Sequence, residues 1–290
     1  MDKLCGFNNI GNTCYLNSAL QLLINCTVLT KFILSFNFKS DKLNEIKNFL
    51  QKYKSSNVIS PIDIKNIVAQ KDEKFASFNQ NDSHEFLILL LEIIENELKK
   101  EDEANIGEVN IKNLVSTLFS TTVSSIIYCE ELDKKSKNKI EENILSLPIP
   151  NKDHVTLNDC IEKYTEIEHL SGDSKWYDDS SKKYYNAYKR LYLKSLPKYL
   201  IINLKRFSFF SRSNKNNSPV YVDNTLNIRD HQYKLTGIII QDGNANFGHY
   251  YAIINNNNKW YMCNDSSISE LSDIEQYKNR GYVYLFNKQK

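Results

Sequence analysis

Apolar residues recur at helical spacing through the N-terminal third of the chain. Leucine or isoleucine stands at positions 16, 20, 23 and 24, which form one face of a helix. The sequence Ser-Pro-Ile-Asp at residues 60–63 is typical of a second helix start, with a capping serine and a proline at the first helical position. A third helix is predicted over residues 83–99, where apolar positions form a broad face and Asp82 can cap the first turn.

The hydrophobic pattern changes from residue 115 onward. Segments rich in β-branched and aromatic residues, bounded by Asn, Asp and Gly, are typical of strands. They cover residues 118–130, 199–207, 221–228, 233–241, 250–254 and 282–286. One short helix is expected after Thr156, and the polar segments 133–138 and 211–218 are predicted as loops. Helices followed by strands predict an α+β fold.

The composition is typical of a globular protein without a strong electrostatic field. The chain has 290 residues, 41% of them hydrophobic, and a formal net charge of +2, so it can bury one large core or two modest ones. This charge predicts no nucleic-acid and no membrane partner. The most apolar stretch, residues 86–91, is far shorter than the roughly 18 residues of a membrane span, and residues 1–5 have no apolar signal core. We therefore expect a soluble protein of the cytoplasm, the nucleus or both.

Cys14 differs from the other cysteines in its setting. The six cysteines are scattered without paired spacing, which favours reduced thiols over a disulfide framework. A Gly- and Asn-rich segment, residues 6–13, runs directly into the first predicted helix. With Thr13 or Asn12 as cap, Cys14 falls in the first turn, where free N–H groups and the helix dipole favour a thiolate. Cys14 is therefore a candidate nucleophile; the alternative is a buried, inert cysteine on an amphipathic helix.

His249 is the histidine whose neighbours suit it to act as the base for this thiol. Residues 248–266 are predicted to form a β-hairpin whose loop holds the four asparagines 255–258. If that loop is symmetric, His249 faces Asn264, whose amide oxygen can accept from the imidazole N–H. Asp265 then points to the other face. A register slip of one residue would exchange the two, so Asp265 stays a supporting residue or an alternative third member.

Three segments in this order resemble the signature boxes of one enzyme family. They are a cysteine box at 6–15 (GFNNIGNTCY), a glutamine box at 80–86 (QNDSHEF) and a histidine box at 248–252 (GHYYA) with 260–266 (WYMCNDS). Together they resemble the ubiquitin-specific proteases, papain-like deubiquitinating cysteine proteases. The resemblance covers nearly the whole chain. It implies a papain-like α+β fold with a helical thumb at residues 1–114, a β-rich fingers region at 115–198 and a palm with the His/Asn hairpin at 199–290.

The resemblance also implies catalytic roles. Cys14 is the nucleophile, His249 the general base and acid, and Asn264 the third triad member. Asn9 matches the oxyanion-hole residue. The substrate bond is the one after the C-terminal Gly-Gly of ubiquitin, and it is cleaved through a thioester.

Substrate binding is implied in the same way. Asp82 and Glu85 match positions suited to grip the arginine-bearing tail of ubiquitin, and Gln80, Gly248 and Tyr250 are assigned to substrate binding with them. Asp82 and Glu85 also suit the acidic start of a helix, and both roles can hold together. The implied partners are ubiquitin and ubiquitinated proteins, and the need for an activating protein partner stays open.

The chain departs from the family pattern in the fingers region. Two CxxC pairs that often hold zinc there would fall at Cys129 and Leu132 and at Asp178 and Ser181. Only one of the four ligands remains, and a tetrahedral structural site cannot be built from that set. We predict no metal and no cofactor.

Three alternatives stay open on the sequence. The same chemistry can act on another Gly-Gly-ended modifier, or the chain can be a ubiquitin-binding scaffold with a weak active site. The third is a nucleic-acid patch of alternating cations and aromatic residues, comprising Lys205, Arg206, Arg212 and Lys215 with Phe207, Phe209 and Phe210. The near-balanced charge argues against this patch.

Overall fold

The structure is a computed structural model that describes residues 3–102, 105–106, 109–208, 211–244 and 248–289. Met1 and Asp2 of the N-terminus, and Phe209 and Phe210 of the aromatic patch, lie outside these residues. Helices gather in the N-terminal part and strands in the C-terminal part, which confirms the predicted α+β class.

The described residues contain eight α-helices, six of which precede the first long strand. They are α1 (Cys14–Ile24), α2 (Thr27–Ser35), α3 (Asp41–Ser55), α4 (Ile62–Ala69), α5 (Ser83–Lys100), α6 (Leu114–Phe119), α7 (Leu157–Tyr164) and α8 (Glu275–Lys278). Short 3-10 helices cover Glu73–Ala76, Ile111–Asn113 and Gly172–Ser174.

Among the described residues, only four short strands precede residue 115, and the other strands follow it. The short strands before residue 115 are β1 (Gly6–Phe7), β2 (Val58–Ile59), β3 (Asn105–Ile106) and β4 (Val109–Asn110). The middle of the chain forms β5 (Thr121–Cys129), β6 (Lys134–Glu142), β7 (Leu145–Leu147), β8 (Val155–Thr156), β9 (Glu168–Leu170), β10 (Trp176–Asp178), β11 (Lys183–Tyr185) and β12 (Ala187–Ser195). The last part forms β13 (Tyr199–Leu204), β14 (Phe207–Ser208), β15 (Ser211–Lys215), β16 (Val220–Tyr221), β17 (Thr225–Ile228), β18 (His231–Gly243), β19 (Gly248–Asn256), β20 (Lys259–Asn264), β21 (Ser267–Leu271) and β22 (Gly281–Lys288).

Two sheets organise these strands. The central sheet has eight strands in the order β21-β20-β19-β18-β22-β13-β7, with β17 paired to β18. A four-stranded antiparallel sheet has the order β6-β5-β12-β9. The remaining strands form short pairs, among them β1 with β2 and β10 with β11. The central sheet carries the predicted hairpin as β19 and β20.

Two helix starts follow the chemistry that the sequence predicts. Asp82 is the N-cap of α5, and its carboxylate accepts from the backbone N–H groups of residues 84 and 85 at 2.7 and 3.1 Å. Thr156 and Asp159 form a reciprocal capping box at the start of α7. Each cap satisfies N–H groups that have no partner within the helix.

Two predicted boundaries and two predicted loops are wrong. Pro61 rather than Ser60 is the N-cap residue of α4. Because α6 extends the helical part to Phe119, the first long strand begins at Thr121. Two segments predicted as loops contain strands, β6 and β15. β6 is a lysine-rich edge strand with mostly exposed side chains, and such an edge needs no alternating apolar face, so its pattern resembles that of a loop.

Helix α1 lies at the centre of the molecule, and all of its residues are buried. It packs between α5 and strand β19, in a core cluster that joins the helices to one face of the central sheet. A second core cluster covers the opposite face of that sheet and includes apolar residues of α7. The buried α1 therefore fixes Cys14 at the junction of helices and sheet.

None of the helices in the described residues is, by itself, both long and apolar enough to cross a membrane. Only α1 and α2 taken together reach that length and apolarity, and this pair is bent by 85° at its break.

Candidate active site

Cys14 is the first residue of α1, and its side chain is only 3% exposed. Thr13 occupies the N-cap position, but the predicted side-chain cap is wrong. The Thr13 hydroxyl instead accepts from the backbone N–H of Ile10 at 3.0 Å. The first N–H groups of a helix have no intrahelical partner, so without a side-chain cap they can serve an anionic oxygen beside the thiol.

Asn9 holds the turn that leads into α1. Its Oδ1 accepts from the backbone N–H groups of Gly11 and Thr13, each at 3.2 Å. Gly11 and Asn12 both have positive φ angles, 104° and 52°, a conformation that glycine and asparagine tolerate best. The Gly/Asn-rich composition thus permits a tight turn that delivers Cys14 to the helix start.

Asp265 links this turn to the central sheet. Its two carboxylate oxygens accept from Asn9 Nδ2 at 2.9 Å and from Asn17 Nδ2 at 2.7 Å. Its backbone oxygen accepts from the N–H of Phe7 at 2.9 Å. Asp265 therefore orients the Asn9 amide and supports the cysteine turn, whereas its neighbour Asn264 accepts the hydrogen bond from the His249 ring.

His249 and Asn264 are brought together as the sequence predicts, but through a different register. His249 Nε2 lies 2.6 Å from Asn264 Oδ1. Asn256 pairs with Lys259, so the hairpin turn has only two residues, Asn257 and Asn258. Both have positive φ, 52° and 64°, as the twist-matched two-residue turn requires.

The register prediction is therefore wrong by two residues. The ladder ends at Ala252 and Cys263, and one further step sets Asn264 beside Tyr251 rather than His249. A shift of two keeps every side chain on its own face. Diagonal neighbours on one face remain within reach of long side chains, so the His249–Asn264 contact survives.

The electrostatics of His249 are dominated by Cys14. A hydrogen bond with the Cys14 thiol raises the pKa of His249 to about 9, against the lowering effect of burial, and Asn264 and the charge of Asp265 add to the rise. Because Nε2 faces Asn264, we assign the contact with the thiol to the other ring nitrogen, Nδ1. The arrangement favours a protonated imidazole beside Cys14.

We expect the activity to have an alkaline limit set by His249. Its pKa of about 9 lies above the ordinary 6.5, so kcat/KM should fall as the pH rises through about 9 and the imidazolium is lost. Because the pKa of His249 is higher in the folded protein than in the unfolded chain, its protonation adds to the free energy of unfolding. This contribution is complete below pH 6.5 and absent above about 9. A pH series of kcat/KM and of thermal unfolding measures both, and activity that keeps rising beyond pH 9 would contradict this assignment.

Gln80 clamps the strand that carries His249. Its Nε2 donates to the backbone oxygen of Gly248 at 2.9 Å, and its Oε1 accepts from the Gly248 N–H at 3.0 Å. A Cβ at Gly248 would lie 2.1 Å from Gln241 Nε2 and 2.7 Å from the backbone oxygen of Asp242. Only glycine fits this position, where the glutamine box meets the histidine box.

Asp82 is fully engaged by groups of the chain itself. One oxygen caps α5, and the other accepts from the hydroxyls of Tyr250 at 3.2 Å and Tyr282 at 2.7 Å. Burial, and then the charge of Asp82, raise the pKa values of both tyrosines. Both tyrosines therefore stay donors, and these contacts support the helix-start role of Asp82.

Replacing Asp82 with alanine should lower the free energy of unfolding by about 2–4 kcal/mol, because α5 loses its cap and two buried hydroxyls lose their acceptor. A denaturant titration measures this. Glu85→Ala is the control: the Glu85 side chain is 55% exposed and pairs with Lys74 at 2.9 Å, so its loss should cost less than about 1 kcal/mol. An Asp82→Ala protein of unchanged stability but raised KM would assign Asp82 to substrate binding alone.

The positions that match the family's zinc ligands have other partners. Cys129 is fully buried in a small apolar cluster. Asp178 is 2% exposed and accepts from Lys134 and from the backbone N–H of Ser181, and these contacts lower its pKa to about 2. Within the described ranges, no cluster of three or more His, Cys, Asp or Glu side chains could hold a metal ion. The absence of zinc stays a prediction.

Three residues of the site are not predicted by the sequence. Asn17 binds Asp265, Tyr282 binds Asp82, and the 69% exposed ring of Phe78 lies over Gly11. Asn17 gives a weak signal, because it is one of three polar residues, with Ser18 and Gln21, on a largely apolar helix. Tyr282 and Phe78 give no such signal.

The nucleic-acid alternative loses one of its cations. Arg206 is only 2% exposed, and its guanidinium donates to the backbone oxygens of Gly281, Asn216 and Ser218 at 2.9, 3.0 and 2.8 Å. Arg206 is therefore a buried structural residue and does not contribute to an exposed patch.

Comparisons with known proteins agree with this arrangement. The family model described as "Ubiquitin carboxyl-terminal hydrolase" matches residues 5–286. The chain is similar to ubiquitin carboxyl-terminal hydrolase Usp2 of Drosophila melanogaster, with 27% identity over 99% of this chain and 35% of that protein. It is also similar to ubiquitin carboxyl-terminal hydrolase 16 of Arabidopsis thaliana, with 28% identity over 97% of this chain and 30% of that protein. The chain thus spans about a third of the length of these curated relatives.

Two solved structures have the same fold. One is the SAGA DUB module of Ubp8, Sgf11, Sus1 and Sgf73 bound to monoubiquitin, with a TM-score of 0.81, 26% identity and coverage of 100% of this chain and 70% of that one. The other is the same module bound to ubiquitin aldehyde, with a TM-score of 0.79, 23% identity and the same coverage.

Proposed function

The chain belongs to the ubiquitin carboxyl-terminal hydrolase family, and from this premise we propose that it is a thiol-dependent deubiquitinase of the ubiquitin-specific protease type. It cleaves the isopeptide or peptide bond after the C-terminal Gly-Gly of ubiquitin. The observation that carries this proposal is the 2.6 Å contact between His249 Nε2 and Asn264 Oδ1, together with the influence of Cys14, which raises the pKa of His249. A similar solved module is bound to monoubiquitin, which supports ubiquitin as the modifier.

Acylation begins at Cys14. The thiolate attacks the carbonyl carbon of the terminal glycine, and the negative oxygen is held by the Cys14 backbone N–H and the Asn9 side-chain amide. Asp265 fixes one N–H of that amide, which leaves the second free to donate. His249, protonated beside the thiolate, then gives its proton to the departing lysine amine, and a thioester remains.

Deacylation reverses the proton transfers. His249, now neutral, takes a proton from a water molecule that attacks the thioester carbonyl, and Cys14 leaves as a thiolate. Asn264 keeps the ring in one tautomer and orientation through both half-reactions. This scheme needs no metal and no cofactor.

The substrate channel lies between the glutamine and histidine boxes in this proposal. Gln80 and Gly248 position the strand next to His249, and Tyr250 fixes Asp82. Because the oxygens of Asp82 are already engaged, the exposed Glu85 is better placed to meet an arginine of the ubiquitin tail.

We propose three regions, the first of them a helical thumb at residues 1–114. Helix α6, which ends at Phe119, supports a helical region of about this extent. The fingers follow to residue 198 and contain the four-stranded sheet, and the palm from residue 199 contains most of the central sheet.

The direct test is reaction with ubiquitin whose C-terminal glycine carries a thiol-reactive group, read by intact mass. One ubiquitin adduct on the protein establishes both nucleophile and modifier. The same trap on other Gly-Gly-ended modifiers is the comparison. Reaction with another modifier and not with ubiquitin would replace ubiquitin in the proposal, and bound but unreacted ubiquitin would favour a scaffold or an enzyme that needs an activating partner.

A further inference from the structure

A groove on the surface of the molecule is lined by cations and lies on elements that carry no catalytic residue. It is bounded by α7, by the second half of β12 and by the turn between β17 and β18, and its volume is about 550 Å³. This size falls in the range of ligand-binding clefts. We call it the basic groove.

The basic groove exists because strand β9 is short. β9 pairs with β12 only at Ala187, Tyr188 and Lys189, whereas β5 pairs along nearly the whole other edge of β12. Beyond Lys189 the edge of β12 therefore borders the groove rather than another strand. The groove floor is thus a strand segment left open by the topology.

Three cations line the groove: Arg190, Lys194 and Arg229. None of them forms an ion pair with a carboxylate of the described residues, whereas Lys163 and Lys189 nearby pair with acidic neighbours. Their positive charges are therefore not neutralised within this part of the chain.

The two guanidinium groups are held in place by neutral acceptors. Arg229 Nη1 donates to the backbone oxygens of Leu193 at 3.0 Å and Lys194 at 2.7 Å. Arg190 Nε donates to the backbone oxygen of Thr165 at 3.2 Å. A carbonyl anchors a guanidinium without cancelling its charge, so part of the ordering cost of binding an anion is met in advance.

The walls combine this charge with apolar surface. The Tyr192 ring lies 5.2 Å from both the Arg190 guanidinium and the Lys194 ammonium, and aliphatic side chains of α7, β12 and β17 complete the lining. Glu162 is the single carboxylate among the lining residues. A short groove of mixed cationic and aliphatic character suits carboxylates spaced by aliphatic side chains. A nucleic acid would need a longer basic track than this one.

We propose that the basic groove binds an acidic protein segment in which Glu or Asp alternates with aliphatic residues. The segment lies along the open part of β12, with its carboxylates on Arg190, Lys194 and Arg229. This docking site is separate from the candidate catalytic residues, and the proposal does not depend on the deubiquitinase assignment.

The test is fluorescence anisotropy of a labelled hexapeptide of alternating glutamate and leucine with the full chain. We expect saturable binding that weakens as salt rises from about 0.01 to 0.15 M, where the screening length falls from about 30 to 8 Å. The triple variant Arg190→Gln, Lys194→Gln, Arg229→Gln should weaken binding at least about tenfold. Lys31→Gln, at an exposed lysine of α2, is the matched control and should bind as the native chain does.

Lys194→Glu alone keeps the test decisive if the triple variant fails to fold, because the Lys194 side chain donates to no backbone group among the described residues. It should weaken binding, with the thermal unfolding midpoint unchanged. The proposal is overturned if the peptide does not bind the native chain, if a glutamine-leucine peptide binds equally well, or if Lys31→Gln is as damaging as Lys194→Glu. It is also overturned if a single-stranded RNA of similar length displaces the peptide and binds more tightly through the same residues.

Discussion

Replacing Cys14 with alanine is expected to reduce ubiquitin hydrolysis by about 10⁶, the scale at which loss of a catalytic nucleophile stops turnover. No thioester can form without the sulfur atom, and neither the oxyanion donors nor His249 can substitute for it. Ubiquitin binding should persist, because the Cys14 side chain is only 3% exposed and offers little contact area. Steady-state hydrolysis and a binding titration of the same preparation measure the two effects.

Cys160→Ala is the matched control for this experiment. Cys160 is also a fully buried cysteine near a helix start, but it lies in α7 within the second core cluster. Burial raises the pKa of its thiol to about 11, so it stays a protonated, unreactive group. Cys160→Ala should keep full activity and still accept the ubiquitin trap. If Cys14→Ala kept its turnover and Cys160→Ala lost it, Cys160 rather than Cys14 would be the nucleophile.

Asn264→Ala and Asp265→Ala are expected to produce large losses of kcat by two different routes. Without Asn264, His249 loses the partner of its Nε2, and kcat should fall by about 10²–10⁴, the usual contribution of a positioned acid–base group. Without Asp265, the Asn9 amide is no longer fixed, and a fall of about 10²–10³ is expected, as for an oxyanion donor. The Asn17 amide also loses its shorter hydrogen bond, to Asp265 at 2.7 Å, and keeps only the backbone oxygen of Asn8 at 3.4 Å.

The pH profile distinguishes these two routes. The hydrogen bond with Asn264 helps to raise the pKa of His249. Because Asn264→Ala removes this bond, it should lower that pKa and move the alkaline limit of kcat/KM to lower pH. Asn9→Ala should reproduce the loss in Asp265→Ala, and the double variant should lose little more than either single one, because both remove the same oxyanion contact. Fully additive losses at Asn9 and Asp265 would show that Asp265 acts mainly on His249 instead.

The hairpin shows how far residue patterns alone could define the site. The sequence pattern placed His249 and Asn264 on one face of two paired strands. Side chains alternate between the two faces of a strand, so a register shift by an even number of residues leaves each side chain on its face. The sequence pattern predicted a loop of all four asparagines, whereas the turn consists of only Asn257 and Asn258, both with positive φ. The error of two residues left the face unchanged, and an error of one would have replaced Asn264 with Asp265.

In the turn before Cys14, the sequence predicted the path of the backbone but not the hydrogen bonds of the side chains. Its glycine and asparagine residues indicated a tight turn into a helix, and that turn is present. The sequence predicts Thr13 or Asn12 as the cap, but neither side chain caps the helix. The Thr13 hydroxyl accepts from the Ile10 N–H, and Asn12 Nδ2 donates to the backbone oxygen of Phe78. Several acceptors compete for the same few N–H groups within such a turn, and their energies differ too little for local sequence to choose among them.

The sequence by itself determined the α+β class, the caps of α5 and α7 and the positions of Cys14, His249 and Asn264, because these follow from local periodicity, capping chemistry and motif order. Tertiary structure alone decided that Asp265 holds Asn9, that Tyr250 and Tyr282 converge on Asp82, and that β9 ends early enough to leave the basic groove open. These contacts join residues far apart in the chain. They depend on the strand order and packing that bring those residues together, which local patterns do not encode.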